Sequence, residues 1–186
     1  MIDQAQLAAL MRIVYSREQQ LVYAVLDGCM LAELPSRLQS SGCRHSCLFS
    51  GALDPVLERA APWLVELPPH ALFTQPLLRE SWNEHGGILL ATRREVDLYT
   101  LRNHLRRFLR VSGPGGRPML FRFYDPRAFR IAMPQLRHGD YQAFLQPLES
   151  VYTEAEDPAS MLHFTADGPA VGDTVSLPLS MQEARE

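Results

Sequence analysis

The sequence contains no lysine, so that all 18 of its basic side chains are arginine. The planar arginine fork suits carboxylate pairing and protein interfaces better than the flexible lysine ammonium does, although codon usage in a GC-rich genome is the simpler explanation. Long hydrophobic runs are also lacking, since none approaches the ~20 residues of a membrane span. The first residues do not have the basic and apolar pattern of a signal peptide. We therefore expect a soluble, cytoplasmic protein with no membrane partner.

Cysteine is scarce and odd in number, at positions 29, 43 and 47. An odd count argues against a disulfide framework. Cys43 and Cys47 lack a second pair of ligands at the spacing of a zinc site. We predict ordinary thiols, no bound metal and no cofactor.

Catalytic motifs are lacking as well. The sequence has no Gly-x-Ser-x-Gly elbow, no His-Glu-x-x-His pair and no P-loop. Gly86 and Gly87 precede a predicted strand rather than a helix, which indicates a turn and not a phosphate cradle. His104 is interpreted as a partly exposed helix residue rather than a general base. These patterns do not predict an enzyme.

Charge is distributed very unevenly along the chain. Residues 1–92 carry a net charge of −3, residues 93–137 one of +8, and residues 138–186 one of −8. Either the two strongly charged segments pack against each other, or a basic surface faces one partner and an acidic C-terminal segment another.

Three arginines recur at helical spacing, at positions 102, 106 and 110. Thr92 and Glu95 have the spacing of a capping box, which predicts a helix that opens there and carries the arginines along one flank. Such a flank could neutralise phosphates, but no nucleic-acid-binding signature accompanies it. We favour a solvated, salt-bridged face and expect no nucleic-acid partner.

Strand and helix patterns alternate along the chain. The predicted strands are 21–26, 47–49, 63–67, 87–91, 151–153 and 161–164. The predicted helices are 4–15, 31–38, one opening at Asp54-Pro55, 72–82, 126–133, and 140–148 with Asp140 as its cap. This alternation indicates an α/β fold with a mixed, mostly parallel sheet flanked by helices and a short C-terminal appendage. We assign residues 1–148 to the α/β domain and residues 149–186 to a short acidic extension, whose end is a hairpin or a loose, disordered tail.

Segment 120–127, LFRFYDPR, combines a strand pattern with a helix start. The alternation over residues 119–124 predicts a strand. Asp125 suits an N-cap and Pro126 the first helical position, where the missing N–H is not needed. Two arginines and a carboxylate would therefore lie at the C-terminal end of a strand, where open α/β sheets bind ligands.

The charges of this segment allow two interpretations. In the first, Asp125 caps a helix while Arg122 or Arg127 pairs with a nearby carboxylate such as Asp27. In the second, Arg122, Asp125 and Arg127 form a docking pocket or an anion site.

Six motifs in a fixed order connect the chain to a known family. They are YAVLDG at 23–28, LFSG at 48–51, APWLVEL at 61–67, GILL at 87–90, HLRRFL at 104–109 and LFRFYDPR at 120–127. Together they resemble the type VI secretion effector adaptor/chaperone family (Tap or TEC proteins), long catalogued as a domain of unknown function. The resemblance covers residues 21–148.

The resemblance implies a non-enzymatic bacterial protein that binds a cognate toxic effector in the cytoplasm and helps to load it onto the VgrG spike. The implied partners are the effector and VgrG or a PAAR-type tip protein. The candidate partner-binding residues are Arg102, Arg106, Arg122, Tyr124, Asp125 and Arg127. The chain departs from the family where Gln146-Pro147 replaces the usual Gly-Pro and where many members have a longer second lobe, which leaves open which surface holds the effector.

Two other functions remain as alternatives. One is a small hydrolase or transferase with an anion-handling site at Arg122, Asp125 and Arg127, assisted by a histidine. The other is nucleic-acid binding through the arginine-rich helix, which would show a steep dependence on salt.

Overall fold

The structure, a computed structural model, describes residues 1–177, which form seven α-helices and nine β-strands. In chain order these are α1 (Gln4–Val14), β1 (Gln20–Asp27), α2 (Leu34–Ser40), β2 (His45–Cys47), α3 (Pro55–Ala60), β3 (Pro62–Glu66), α4 (Thr74–Ser81), β4 (Gly87–Arg93), α5 (Leu98–Arg106), β5 (Arg110–Ser112), β6 (Pro118–Leu120), α6 (Pro126–Ala132), α7 (His138–Leu145), β7 (Ser150–Glu154), β8 (Ser160–Phe164) and β9 (Asp173–Ser176). Within this part of the chain, no helix is long and apolar enough to cross a membrane.

The main sheet is antiparallel, so the prediction of a mostly parallel sheet is wrong. Seven strands follow the order β2-β3-β1-β4-β7-β8-β9, and every neighbouring pair runs antiparallel. Strands β1 and β2 do run in the same direction, but β3 lies between them, and β1 likewise separates β3 from β4. Alternating strands and helices therefore did not produce adjacent parallel strands.

The sheet is covered by helices on both faces because its central strand is apolar on both sides. In β1, Val22, Ala24 and Leu26 pack into one core with α1, α2 and α4. The intervening Tyr23 and Val25 pack into a second core with α5, α6 and α7. Strands buried on both faces read as continuous apolar runs, which explains why 21–26 was recognisable as a strand.

Two of the predicted helix caps are found in the structure, and two are not. Asp54 accepts hydrogen bonds from the first turn of α3, and Asp125 does so for α6, as predicted. The capping box at Thr92 is wrong, because Thr92 lies in β4 and its buried Oγ1 has no partner in the described part of the chain. Helix α5 begins later, with Asp97 accepting from the Thr100 N–H at 2.8 Å. Asp140 is in the first turn of α7, not its cap.

Residues 119–124 do not form one strand. Strand β6 ends at Leu120 and pairs only with β5, in a hairpin separate from the main sheet. Phe123 and Tyr124 lie in a turn and are buried because their rings pack together, with centroids 5.7 Å apart, and because Phe123 packs on Phe144 at 5.4 Å. Helix α5 ends at Arg106, so Arg110 belongs to β5 and not to the predicted helical flank.

The predicted C-terminal appendage is part of the sheet. Residues 150–176 form β7, β8 and β9, and β7 pairs with β4. Strands β8 and β9 form a hairpin at the edge opposite β2. The end of the predicted tail, residues 178–186, lies outside the described residues.

Candidate functional site

A buried carboxylate ends the central strand. Asp27 is fully buried, and its Oδ1 accepts a hydrogen bond from the Cys29 N–H at 2.9 Å. The following residue must be glycine, because a Cβ at Gly28 would overlap the carbonyl oxygens of Arg59 and Ala61. The Asp27-Gly28 turn therefore fixes the carboxylate against the end of α3.

Arg122 supplies the opposite charge. Its Nη2 donates to Asp27 Oδ2, and this hydrogen bond raises the pKa of Arg122 above its ordinary value. The guanidinium carbon lies 5.9 Å from the centroid of the Tyr124 ring, within the range of a cation–π contact. Burial raises the pKa of Tyr124 to about 12, so this phenol is neutral at physiological pH. The first interpretation of the charges, a pair with Asp27, is the one found.

Asp125 and Arg127 satisfy each other at the start of α6. Asp125 Oδ1 accepts from both the backbone N–H and the Nε of Arg127 at 3.0 Å, and Oδ2 accepts from Nη2 at 2.8 Å. Burial opposes ionisation of Asp125, but the hydrogen bonds from Arg127 outweigh it and keep its pKa below the ordinary value. Both carboxylates of this region are thus already bonded within the chain.

The other two candidate residues, Arg102 and Arg106, lie on α5 beside β2. Arg102 donates from Nε to the backbone oxygen of Cys47 at 3.1 Å. Arg106 lines an open groove. The structure therefore divides the six candidate residues into an ionic cluster around Asp27 and Asp125 and a pair of arginines next to β2.

The groove, which we call the hairpin groove, has a volume of about 790 Å³. One side of the groove is formed by the segment after β2 and by α3, with residues 48–50, Leu53 and Leu57. The other side is formed by the end of α5 and the hairpin, with Arg106, 109–110 and 118–120. Met119 and Leu120 are each 50% exposed. This combination of exposed apolar side chains with a cationic rim is typical of a protein-binding surface.

The arginines of the hairpin groove have no ion-pair partner among residues 1–177. Neither Arg106 nor Arg110 takes part in any of the ion pairs found there. Asp54, on the same side of the groove as Leu57, uses its carboxylate to accept from the first backbone N–H groups of α3. Asp54 therefore does not neutralise the positive charge at this groove.

The described residues of the basic and acidic segments form no ion pairs with each other. Within the described ranges, no ion pair joins residues 93–137 to residues 138–177. The one charged contact between them is a hydrogen bond from Arg130 Nη1 to the backbone oxygen of Glu154, at 2.8 Å. The two segments do pack against each other, but through apolar side chains, since the rings of Phe129 and Phe164 lie 5.0 Å apart between centroids.

Two histidines contact buried groups of the chain. His104 is buried, with Nε2 2.8 Å from the Phe144 carbonyl oxygen, so the prediction of a partly exposed residue is wrong. Burial lowers its pKa. His85 contacts the buried Glu154 through Nδ1 at 2.9 Å. Among residues 1–177 there is no group of three side chains suited to hold a metal ion.

The apolar lining of the hairpin groove was missed by sequence reasoning. The alternation of Met119, Phe121 and Phe123 with Leu120, Arg122 and Tyr124 predicts one strand over residues 119–124 and gives no sign of an exposed hairpin. The turn at 113–116 was the available signal, since a glycine-rich turn between short strands indicates a hairpin, and an isolated two-stranded hairpin exposes one face.

Taken together, the molecule is an antiparallel sheet between two layers of helices, with an internal ionic cluster and an open groove at a separate hairpin. A family model described as a domain of unknown function, DUF4123, matches residues 22–143, from β1 into α7. This is about two thirds of the sequence, and the chain belongs to that family. No curated protein and no solved structure matches significantly.

Proposed function

We propose that this protein is a non-enzymatic adaptor, which binds a cognate type VI secretion effector in the bacterial cytoplasm and helps to load it onto the VgrG spike or a PAAR-type tip protein. The six ordered motifs support this proposal, since they resemble the adaptor family. The observation that carries it is the hairpin groove, where exposed apolar side chains adjoin two arginines that have no ion-pair partner among the described residues.

The properties of this groove suit protein binding. Apolar anchors such as Met119 and Leu120 would supply most of the binding free energy once a partner excludes water. Unpaired arginines at the rim would accelerate encounter and fix orientation.

The ionic cluster suits a structural role better than anion handling. Arg122 is bonded to Asp27, and Arg127 to Asp125. An anion that approached either guanidinium would have to compete with a carboxylate already in place. The hydrolase or transferase alternative therefore gains no support from these residues.

Co-expression tests the adaptor function. The protein carries an affinity tag and is produced with the effector and the VgrG protein encoded next to its gene. We expect the effector to co-purify, and we expect deletion of the adaptor gene to abolish delivery of that effector while leaving other effectors unaffected. Absence of co-purification together with normal delivery after deletion would refute the proposal.

A further inference from the structure

The hairpin that borders the groove has a free strand edge. In the β5–β6 ladder, the Phe121 N–H donates to the Leu109 oxygen and the Gly113 N–H to the Arg117 oxygen. Facing residues of two antiparallel strands alternate between pairs that are hydrogen-bonded to each other and pairs that are not. Val111 and Met119 are therefore a hydrogen-bonded pair, whereas Arg110 and Leu120 are not. The N–H and C=O of Leu120 therefore point away from β5.

Backbone groups alternate in the same way along β2, at the other border of the groove. The Glu66 N–H donates to the Arg44 oxygen and the Leu48 N–H to the Pro62 oxygen, so the backbone groups of Cys47 point away from β3. Arg102 already occupies the Cys47 oxygen at 3.1 Å. The edge of β2 is thus partly blocked, whereas the backbone groups of Leu120 have no hydrogen-bond partner among the described residues. An added strand would therefore pair with β6 at Leu120, because Pro118, the other outward residue of β6, has no N–H to donate.

The positive charge of the groove indicates that such a strand would be acidic. Docking over Arg106 and Arg110 would remove water from two guanidinium groups, which is unfavourable unless carboxylates replace it. Among residues 1–177, no carboxylate forms an ion pair with Arg106 or Arg110. A partner that carries carboxylates would therefore complement this groove.

We propose that the hairpin groove binds an extended, acidic segment of the partner protein. Its backbone pairs with the free edge of β6, its large apolar side chains contact Leu53, Leu57 and Leu120, and its carboxylates contact Arg106 and Arg110. This inference rests on the proposed adaptor function and adds the class of peptide that the adaptor recognises.

A random 12-residue peptide library displayed on phage tests the chemistry. Selection on the wild-type protein is expected to enrich peptides that combine Asp or Glu with large apolar residues. The Arg106→Glu/Arg110→Glu double variant is expected to enrich Lys and Arg instead. The control is Arg117→Glu, which changes an exposed hairpin arginine outside the groove lining and should keep the acidic preference. An acidic preference that survives in the double variant, or is absent from the wild type, would overturn the proposal.

Two proline variants test the strand pairing with a synthetic peptide taken from that selection. Leu120→Pro removes an outward N–H together with the leucine side chain and is expected to weaken binding at least tenfold, whereas Leu120→Val shortens the side chain but keeps the N–H and should weaken binding clearly less. Ser112→Pro removes an outward N–H on the other edge of the hairpin, because the Ser112–Pro118 pair is also non-bonded, and should have little effect. Thermal unfolding confirms that each variant is folded. Equal losses in both proline variants, or no loss in Leu120→Pro, would contradict pairing at β6.

Three further outcomes bear on this inference, and the last two separate it from the proposed function. If the protein forms dimers that the Arg106→Glu/Arg110→Glu variant disrupts, a second copy covers the groove and the inference fails. If the effector co-purifies with wild type and double variant alike, the adaptor function stands while the groove assignment fails. If acidic peptides bind the groove but no effector co-purifies, the assignment of the groove stands and the secretion function fails.

Discussion

The Arg122 guanidinium donates a hydrogen bond to the buried carboxylate of Asp27, which lies 95 residues earlier in the chain. The contact ties the end of the central strand to the turn before α6. Arg122 is 39% exposed on its side chain while Asp27 is fully buried, so the arginine provides the opposite charge that a buried carboxylate requires.

Replacing Arg122 is expected to destabilise the fold. Arg122→Met leaves the Asp27 carboxylate buried without its counter-charge, and we expect a loss of about 2 kcal/mol in the free energy of unfolding, below the loss for a fully buried pair because Arg122 is partly solvated. The Asp27→Asn/Arg122→Met double variant should recover part of this loss. Urea unfolding of the wild type, the two single variants and the double variant gives the coupling energy between the two residues. If the losses of the two single variants simply add up in the double variant, the two side chains do not stabilise each other.

Asp125 is expected to act through capping and not through chemistry. Asp125→Ala should lower the free energy of unfolding by about 1 kcal/mol, whereas Asp125→Asn should lower it less because asparagine is also a good N-cap. Because the pKa of Asp125 is lower in the folded state, its carboxylate stabilises the fold at neutral pH. This stabilisation is lost as the pH falls from about 3.9, the pKa in the unfolded chain, through the lower pKa of the folded state. A folded Asp125→Asn protein that loses a measurable turnover would instead support the enzyme alternative.

Gly28 is expected to tolerate no side chain. Gly28→Ala places a Cβ against the carbonyl oxygens of Arg59 and Ala61, and since backbone must move, we expect a loss of about 2 kcal/mol or more. Gly139→Ala is the matched control, because a Cβ there meets no atom within 4 Å. Equal thermal midpoints for the two variants would show that the turn is not tightly constrained.

Glu154 gives the protein a pH dependence of the opposite sign to that of Asp125. Burial raises the pKa of Glu154, although hydrogen bonds from His85 act against this. The folded state therefore binds this proton more tightly than the unfolded state, and stability falls as pH rises from about 4.3 through the raised pKa.

Glu154→Gln removes this titration. The difference in free energy of unfolding between variant and wild type should shift in favour of the variant as pH rises through that window. The exposed neighbour Glu156→Gln serves as control. A difference that stays constant with pH would contradict the raised pKa.

Local features of the fold could be predicted from the sequence because their causes are local. The caps at Asp54 and Asp125 depend on a carboxylate followed directly by proline. The pair of Arg122 with Asp27 joins residues 95 positions apart, so the sequence offers it only as one of two interpretations of the charges.

Features that depend on distant contacts could not be predicted. Strand β3 lies between β1 and β2. This position depends on which strands pair across the whole domain, and a local sequence pattern does not contain that information. Phe123 alternates with Phe121 as strand residues do, yet it is buried by Phe144 of α7. The hairpin groove is a surface formed by two separate segments, so its residues carry no common sequence pattern.

We expect the hairpin groove, and not the ionic cluster, to hold the effector. The most direct measurement is the dissociation constant of the purified effector with wild type, Arg106→Glu/Arg110→Glu, Arg117→Glu and the Asp27→Asn/Arg122→Met variant, by calorimetry at one salt concentration. We predict at least a tenfold loss of affinity for the groove variant and less than a threefold change for the other two. Unchanged affinity of the groove variant, with a loss confined to the cluster variant, would contradict the account.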